Sequence, residues 1–420
     1  MVADSTKEPA APLGAPFWRL FTSSALSNLS DGVGTAALPL LAVSLTRDPV
    51  AISALTAVAF LPWLLLAIPA GALVDRIDRR RAMALANGSR AVVLLGVIAA
   101  LAVGALTMPW LYLAAVLLGT AETVYDSAAR AMLPRVVTAP QLERGNSYLA
   151  TAESVGNLFA GAPIGAALFA VAAMAPFGVN AAGYALAAVL ILLVRGNFRP
   201  ERTATTSFRA DLGEGLGWLL RHPILRVLMV TLGIGSGVAS MTNAIGVLFA
   251  LQNLGLSEQG FGLLLAVAGG GAVLGSLAAP TLAKLLGRPA AMGGALLVAS
   301  GSTLLLGFWQ APPVGFAAFF VTTFMISAFN VQIISLRQAL IPEALFGRVQ
   351  GAFRTVIWGT IPLGSILGGI IGTQLGLSAV FMIAGGVGIV TDVLTWAVLV
   401  RHRAQIENAF AAPGQAPSAT

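Results

Sequence analysis

The stretch GALVDRIDRRR, residues 71–81, decides how this chain is interpreted, because it sets a dense cluster of charge between two long apolar segments. It contains two aspartates and four arginines, in a chain of 420 residues of which only 10% are charged. Ordinary soluble domains are roughly 25% charged. Arginines beside an apolar helix hold a loop on the cytoplasmic side of a bilayer. The stretch therefore predicts a short cytoplasmic loop that joins two membrane-spanning helices.

The composition extends this interpretation to the whole chain. Hydrophobic residues make up 57% of the sequence, and apolar runs recur from end to end. Each run has about 20 residues, the length a helix needs to cross a bilayer core, and none shows the alternation of a barrel strand. The net charge of +7 comes from basic residues scattered in short loops, which argues against nucleic-acid binding. With no cysteine and only His222 and His402, the sequence predicts no metal site and no cofactor.

We predict an all-α membrane protein with twelve transmembrane helices in two pseudo-symmetric six-helix bundles. The longest polar interruption lies at mid-chain and separates the bundles. The predicted segments are a disordered cytoplasmic tail at 1–16, an N-terminal bundle at 17–195, a cytoplasmic linker at 196–222, a C-terminal bundle at 223–400 and a disordered cytoplasmic tail at 401–420. Basic residues concentrate in the loops after the even-numbered helices, which predicts that both termini are cytoplasmic.

An internal repeat supports the two bundles. Pro134 and Pro342 are separated by 208 residues, and the same offset aligns the charged stretch with APTLAKLLGRPA at 279–290. In this second copy Ala283 takes the place of Asp75. A parallel repeat of six helices implies a pseudo-twofold axis along the membrane normal, with a binding site between the halves.

With these features the chain resembles the major facilitator superfamily, and the resemblance covers about residues 17–400. GALVDRIDRRR is similar to that family's signature between helices 2 and 3, except that Asp78 stands where the family usually has glycine. The segment at 122–161 resembles a bacterial branch of siderophore exporters and macrolide-efflux-type proteins. The resemblance implies that Arg79 reaches Asp126 and that Asp75 faces the start of helix 11. It implies a cytoplasmic gate that latches the outward-open state, formed by Gly71, Asp75, Arg76, Arg79, Arg80 and Asp126.

Charged residues inside the predicted helices are further candidates, because an ionisable group at membrane depth is costly unless it is paired or faces water. Arg90 and Glu122 lie at matching depth on neighbouring helices, which predicts an ion pair, either structural or linked to a proton. Arg354 and Asp392 are similarly level, and we predict a structural pair there.

Asp31 lies near the predicted bilayer centre, one turn after Asn28, and no basic residue of the first half obviously shares its depth. An unpaired carboxylate in that position is a candidate for binding and releasing a proton. Glu153 on helix 5 is a second candidate. For both residues a purely structural role in packing is the alternative.

Together, the residues and the resemblance predict a secondary transporter that exports amphipathic small molecules, drug-like or siderophore-like, driven by protons through alternating access. GAPIG at 161–165 resembles the glycine–proline motif of antiporters and favours export. Uptake, or flipping of lipids or lysolipids, are alternatives on the same scaffold, whereas a membrane-embedded enzyme or a receptor fits poorly. The predicted partners are a small-molecule substrate, protons and the lipid bilayer. The chain is expected to act as a monomer in the bacterial inner membrane.

Overall fold

The computed structural model describes residues 12–74, 77–196, 198 and 208–411, and these residues are almost entirely helical. The helices in chain order are α1 (Ala15–Leu45), α2 (Pro49–Val74), α3 (Arg79–Ala102), α4 (Met108–Val136), α5 (Leu142–Ser154), α6 (Ala162–Val171), α7 (Ala175–Leu192), α8 (Phe208–Arg221), α9 (Pro223–Gln252), α10 (Glu258–Leu286), α11 (Arg288–Phe308), α12 (Pro312–Leu340), α13 (Glu343–Leu375), α14 (Leu377–Arg401) and α15 (Arg403–Ala411). A π-helical segment, Val155–Gly161, joins α5 to α6 without a break. Three described residues, Ala139–Gln141, form a 3₁₀ turn.

Ten helical segments in the described part of the chain are long and apolar enough to cross a membrane. Helices α1 and α4 are also long enough, at 31 and 29 residues, but they are less apolar. Serines and Asp31 lower the hydropathy of α1, and Glu122 and Asp126 lower that of α4. The predicted all-α membrane fold is thus confirmed, and these two helices carry three of the predicted acidic sites, Asp31, Glu122 and Asp126.

The described residues form two compact units. The first unit lies within Met1–Leu45 and Leu61–Thr203, and the second lies within Thr46–Phe60 and Ala204–Thr420. The first part of α2 therefore belongs to the second unit, whereas the sequence placed all of α2 in the N-terminal bundle. In the first unit α1 packs against α7 and the π segment, and α3 packs against α4 and α7. In the second unit the main pairs are α10 with α12, α11 with α14, and α9 with α13.

Glycines allow several of these helices to approach each other at backbone distance. Gly32 of α1 lies against Gly156 and Gly161 of the π segment, and a Cβ at Gly32 would lie 2.9 Å from the Cα of Gly161. In the second unit, a Cβ at Gly364 would lie 2.7 Å from the carbonyl carbon of Gly237. Small residues at such crossings are typical of membrane helices, because close packing is a main source of attraction between them.

Two segments differ from the sequence prediction. The predicted linker contains α8, and the tail predicted to be disordered contains the end of α14 and all of α15. Leu219 of α8 and Ile406 of α15 are fully buried in the core of the second unit. Burial of these apolar side chains explains why α8 and α15 form helices despite the polar composition around them.

Candidate functional site

Among the described residues of the first unit, the most deeply buried charge is Arg90 of α3. Its side chain is 1% exposed, and its guanidinium Nη1 lies 3.3 Å from Oδ1 of Asp31 on α1. The same Nη1 atom donates to Ser27 Oγ at 3.3 Å and to Asn87 Oδ1 at 3.4 Å. An arginine cannot lose its proton in a protein, so this charge is permanent and needs these acceptors.

Two tyrosine rings enclose the guanidinium. Its carbon lies 5.1 Å from the ring centre of Tyr184 on α7 and 5.3 Å from that of Tyr125 on α4. The Tyr184 hydroxyl donates to Asp31 Oδ1 at 2.6 Å, and the Tyr125 hydroxyl donates to Ser24 Oγ at 3.3 Å. Four helices of the first unit therefore converge on one ion pair, and the rings stabilise the cation through their π faces.

A second carboxylate lies within electrostatic range of this pair. Glu122 of α4 lies within electrostatic range of Arg90 and Asp31, and close to the indole of Trp63 on α2. We call Asp31, Arg90, Glu122, Tyr125 and Tyr184 the buried charge cluster. The Nη2 atom of Arg90 is buried and has no hydrogen-bond partner among the described residues, so the cation retains donor capacity for another acceptor.

Helical spacing explains why these side chains meet. Ser24, Ser27 and Asp31 recur at intervals of three and four along α1 and so share one face. Asn87 and Arg90 are three residues apart on α3, and Glu122 and Tyr125 are three apart on α4. Each helix presents its polar positions together to the interior and its apolar positions elsewhere.

Two pairings predicted from the sequence are corrected by these contacts. Arg90 forms its ion pair with Asp31 rather than with Glu122, and Asp31, predicted to lack a basic partner, is paired. Asp31 is 16 residues into α1 and Arg90 is 11 residues into α3. This difference of five residues in depth corresponds to about 7–8 Å along a helix, a distance that the long arginine side chain spans.

The remaining proton and substrate candidates are Asn28 and Glu153. Asn157 of the π segment donates to Asn28 Oδ1 at 3.5 Å, while its own Oδ1 is buried without a partner among the described residues. Glu153 is exposed on α5 and interacts electrostatically with Asp126. Interruptions of α-helix by π-helix are frequent at functional sites, which makes the Asn28–Asn157 contact a candidate for substrate binding.

The predicted gate is only partly within the described residues. Asp75 and Arg76 lie outside them, and Gly71 lies in the last turn of α2. Arg79 donates to the carbonyl of Ala131 on α4 at 3.0 Å, and Arg80 donates to the carbonyl of Val194 after α7 at 2.9 Å. These arginines bind carbonyl groups near helix C-termini, where positive charge is favourable.

The expected contact between Arg79 and Asp126 is also corrected. Asp126 Oδ2 instead lies 3.7 Å from Nη2 of Arg130, one turn further along α4. Asp78, the departure from the family signature, is the N-cap of α3 and accepts a hydrogen bond from the backbone N–H of Arg81 at 3.1 Å. Aspartate is a strong N-cap residue, so this substitution has a local structural reason.

The predicted pair of Arg354 and Asp392 is likewise corrected. Asp392 of α14 accepts a hydrogen bond from Ser300 Oγ of α11 at 2.6 Å, and the guanidinium of Arg354 lies 3.8 Å from the ring centre of Trp358. Asp392 and Arg354 therefore each contact a different neighbouring side chain, and the equal depth of the two residues in their helices does not predict these partners.

Sequence reasoning also missed members of the cluster. Tyr125 and Tyr184 are not among the residues that the sequence selects, nor are Ser27 and Asn87, which accept hydrogen bonds from Arg90. The sequence pattern that could have identified these residues is the recurrence of polar residues at helical spacing within otherwise apolar helices. In the described part of the chain, no group of three or more histidine, aspartate or glutamate side chains is arranged to hold a metal ion.

Comparisons with known proteins agree with this architecture. The family model described as Major Facilitator Superfamily matches residues 20–359 and 232–419. The uncharacterized MFS-type transporter YfiS of Bacillus subtilis is 26% identical over 90% of this chain and 91% of its own length. The uncharacterized MFS-type transporter Rv0037c of Mycobacterium tuberculosis is 31% identical over 68% of each chain. The multidrug efflux pump Tap of Mycolicibacterium fortuitum is 23% identical over 87% of this chain and 91% of its own.

Solved structures share the fold at low sequence identity. The nucleoside transporter NupG superposes with a TM-score of 0.75 at 15% identity, over 92% of this chain and 99% of its own. A bacterial homologue of the human lysosomal transporter Spinster, in an inward-facing unoccupied conformation, superposes with a TM-score of 0.67 at 16% identity, over 96% and 98%. With two matches of its family model and a relative above 30% identity, this chain belongs to the Major Facilitator Superfamily of membrane transporters.

Proposed function

We propose that this chain is a secondary transporter that exports amphipathic small molecules in exchange for protons, and that the buried charge cluster binds the coupling proton. One observation carries the proposal. Two carboxylates, on Asp31 and Glu122, share the field of a single buried arginine. This arrangement can exist in two states that differ by one proton, which proton coupling requires.

Charge counting identifies the exchangeable proton. If both carboxylates are ionised, the cluster carries one net negative charge at membrane depth, which is costly. One added proton makes the cluster neutral, because Arg90 stays charged. Asp31 already has an ion pair and a hydrogen bond from Tyr184. Glu122 therefore carries the proton, in place of Asp31, which the sequence had suggested first.

The position of Glu122 couples this proton to helix movement. The ion pair connects α1 to α3, and Glu122 lies on α4 close to Trp63 of α2. When Glu122 loses its proton, it competes with Asp31 for the guanidinium, and the free Nη2 donor of Arg90 is available to it. Protonation therefore changes which helix Arg90 attracts, and such a two-state contact is what alternating access requires.

Export is supported by the relatives and by the chemistry of the helices. One relative is named a multidrug efflux pump. A site formed by aromatic and amide side chains within apolar helices suits amphipathic compounds, which need shape and a few hydrogen bonds. The family and the apolar helices identify a multi-pass membrane transporter of a small-molecule substrate. We further propose that it acts as a monomer in the bacterial inner membrane with both termini in the cytoplasm.

The test is dye transport in inside-out membrane vesicles, with ethidium and rhodamine 6G as probes. An imposed proton gradient, acidic inside, is expected to drive dye accumulation by the native chain. Glu122→Gln mimics the protonated carboxyl and is expected to abolish gradient-driven accumulation while preserving dye exchange without a gradient. Glu153→Gln is the matched control, because Glu153 is exposed, and it is expected to keep at least half of the native rate.

Four results would contradict the proposal. Accumulation by Glu122→Gln at the native rate would remove Glu122 as the proton site. Loss of accumulation in Glu153→Gln alone would transfer that role to α5. Dye movement in the opposite direction would support uptake, and transport of a fluorescent lysolipid without either dye would support the lipid alternative.

A further inference from the structure

A cavity of about 480 Å³ lies in the second unit, well away from the buried charge cluster along the chain. Its walls come from the end of α10, the start of α11, the last turns of α12, and α15. This volume is within the range of small-molecule sites in proteins. The cavity therefore has room for a small ligand or for the headgroup of a lipid.

Two cations line the cavity. Lys284 is an exposed residue near the end of α10, and Arg288 is the first residue of α11. The Arg288 guanidinium lies 3.4 Å from the ring centre of Phe410, which holds it at the cavity wall. None of the described residues that line the cavity is acidic. Uncompensated positive charge of this kind favours an anionic ligand.

The internal repeat explains how this charge arose. Lys284 and Arg288 are the counterparts, at an offset of 208 residues, of Arg76 and Arg80 in the first charged stretch. In the first unit Arg80 binds the carbonyl of Val194. The second stretch keeps the cations but has Ala283 where the first has Asp75, so it lacks the acid of the motif.

A buried amide supplies a second, independent observation. Gln332 of α12 also lines the cavity and is only 3% exposed. Its Nε2 donates to the carbonyl of Ala328 at 3.4 Å, while its Oε1 is buried with no hydrogen-bond partner within the described ranges. An unsatisfied buried acceptor costs about 1–3 kcal/mol, and a ligand hydroxyl at the inner wall would satisfy it.

We propose that this cavity binds the phosphodiester headgroup of an anionic, hydroxyl-bearing phospholipid. Lys284 and Arg288 bind the phosphate, and Gln332 accepts a hydrogen bond from a headgroup hydroxyl. A lipid is favoured over a free phosphate ester because exposed apolar side chains lie near Lys284 along α10. Leu277, Leu285 and Leu286 there are 60–74% exposed and would contact the acyl chains. Basic pockets at the ends of transmembrane helices are suited to anionic headgroups.

The experiment is native mass spectrometry of the purified full chain in detergent, titrated with single lipids. Phosphatidylglycerol is expected to bind more tightly than phosphatidylcholine. Lys284→Gln and Arg288→Gln are each expected to weaken phosphatidylglycerol binding about fivefold. Arg401→Gln is the control, since Arg401 is an exposed basic residue at the end of α14 that does not line the cavity, and it is expected to change binding less than twofold.

A second comparison tests the hydroxyl. Native protein is expected to bind phosphatidylglycerol more tightly than phosphatidylmethanol, which has the same charge but no headgroup hydroxyl, and Gln332→Leu is expected to remove that difference. Binding of phosphatidylglycerol by the Lys284→Gln/Arg288→Gln double variant at the native level would overturn the proposal. Displacement of the lipid by glycerol 3-phosphate or inorganic phosphate at equal concentration would overturn the lipid as the occupant.

Discussion

At the residue scale, the buried charge of Arg90 has a large effect on the stability of the first unit. It is a permanent charge that is 1% exposed, and the short contacts of its guanidinium are to Asp31, Ser27 and Asn87. Breaking a buried ion pair by removing one partner typically costs about 3–5 kcal/mol, because the remaining charge is left buried. The cluster is therefore both a candidate for function and a condition for stability.

The first prediction concerns Asp31→Asn, which keeps the shape of the side chain but removes its charge. It is expected to lower the free energy of unfolding by about 3 kcal/mol, the low end of that range, because Glu122 takes over part of the interaction. Denaturant unfolding in mixed micelles measures this. Asp126→Asn, whose partner Arg130 is exposed, is the control and should cost less than about 1 kcal/mol. Equal stability of the two variants would contradict the importance of the pair.

The second prediction concerns His222, which precedes α9 and caps it by accepting a hydrogen bond from the N–H of Leu225. Burial and, to a lesser extent, the nearby His402 lower the pKa of His222. The unfolded chain therefore binds this proton more readily than the folded chain. The stability contribution is complete above about pH 6.5, the ordinary histidine value, and is lost as the pH falls through the lower folded pKa.

The check is the melting temperature of the native chain and of His222→Asn between pH 8 and pH 5. Asparagine also caps helices but does not titrate, so the variant should lose less stability on acidification. Identical pH profiles for the two proteins would show that His222 does not contribute.

The sequence identified Arg90, Glu122 and Asp31 but not their pairing, for a geometric reason. Counting residues from a helix end gives depth, which is why these three were selected. Pairing also depends on the rotation of each helix about its axis and on the reach of the side chain, and neither follows from depth. Arg79 is a similar case, since its partner proved to be the backbone carbonyl of Ala131, which no sequence pattern marks.

At the element scale, the continuous segment of α5, the π turn and α6 is the least regular helix of the first unit. The π turn lies where Gly32 of α1 makes its closest backbone approach. The extra residue in such a turn shifts the side chains that follow it around the helix, which places Asn157 beside Asn28. Sequence periodicity predicted a helix here but not the π turn.

The third prediction therefore concerns Gly32→Ala. The new Cβ would lie 2.9 Å from the Cα atoms of Asn157 and Gly161 and closer still to a backbone oxygen, and neither helix can yield by a side-chain movement. Overpacking of this kind costs about 1–3 kcal/mol. Gly96→Ala in α3 is the control, because a Cβ there meets nothing within 4 Å. It is expected to leave stability unchanged or raise it by up to about 1 kcal/mol. Unfolding in micelles measures both, and a loss of stability only in the control would contradict the packing argument.

At the scale of the whole molecule, the two repeats have the same spacing of helices but differ in their charged residues. Helices α1 and α9 begin 208 residues apart, and α3 and α11 begin 209 apart. At the offset of 208, the counterparts of Asp31, Arg90 and Glu122 are Ala239, Val298 and Asn330. The repeat of the fold was predictable because it depends on the spacing of apolar runs. The asymmetry of charge is also visible in the sequence, and it assigns the proposed proton chemistry to the first repeat.

The last prediction follows from this asymmetry. Asp392 of the second unit is 8% exposed and accepts a short hydrogen bond from Ser300, and among the described residues no arginine forms an ion pair with it. Asp392→Asn keeps an acceptor for Ser300, so gradient-driven dye accumulation is expected to stay within twofold of the native rate, whereas Glu122→Gln abolishes it. Both are measured in the same inside-out vesicles at matched protein levels. If Asp392→Asn alone removed the dependence on the proton gradient, the coupling site would lie in the second unit, and the charge asymmetry of the repeats would have another cause.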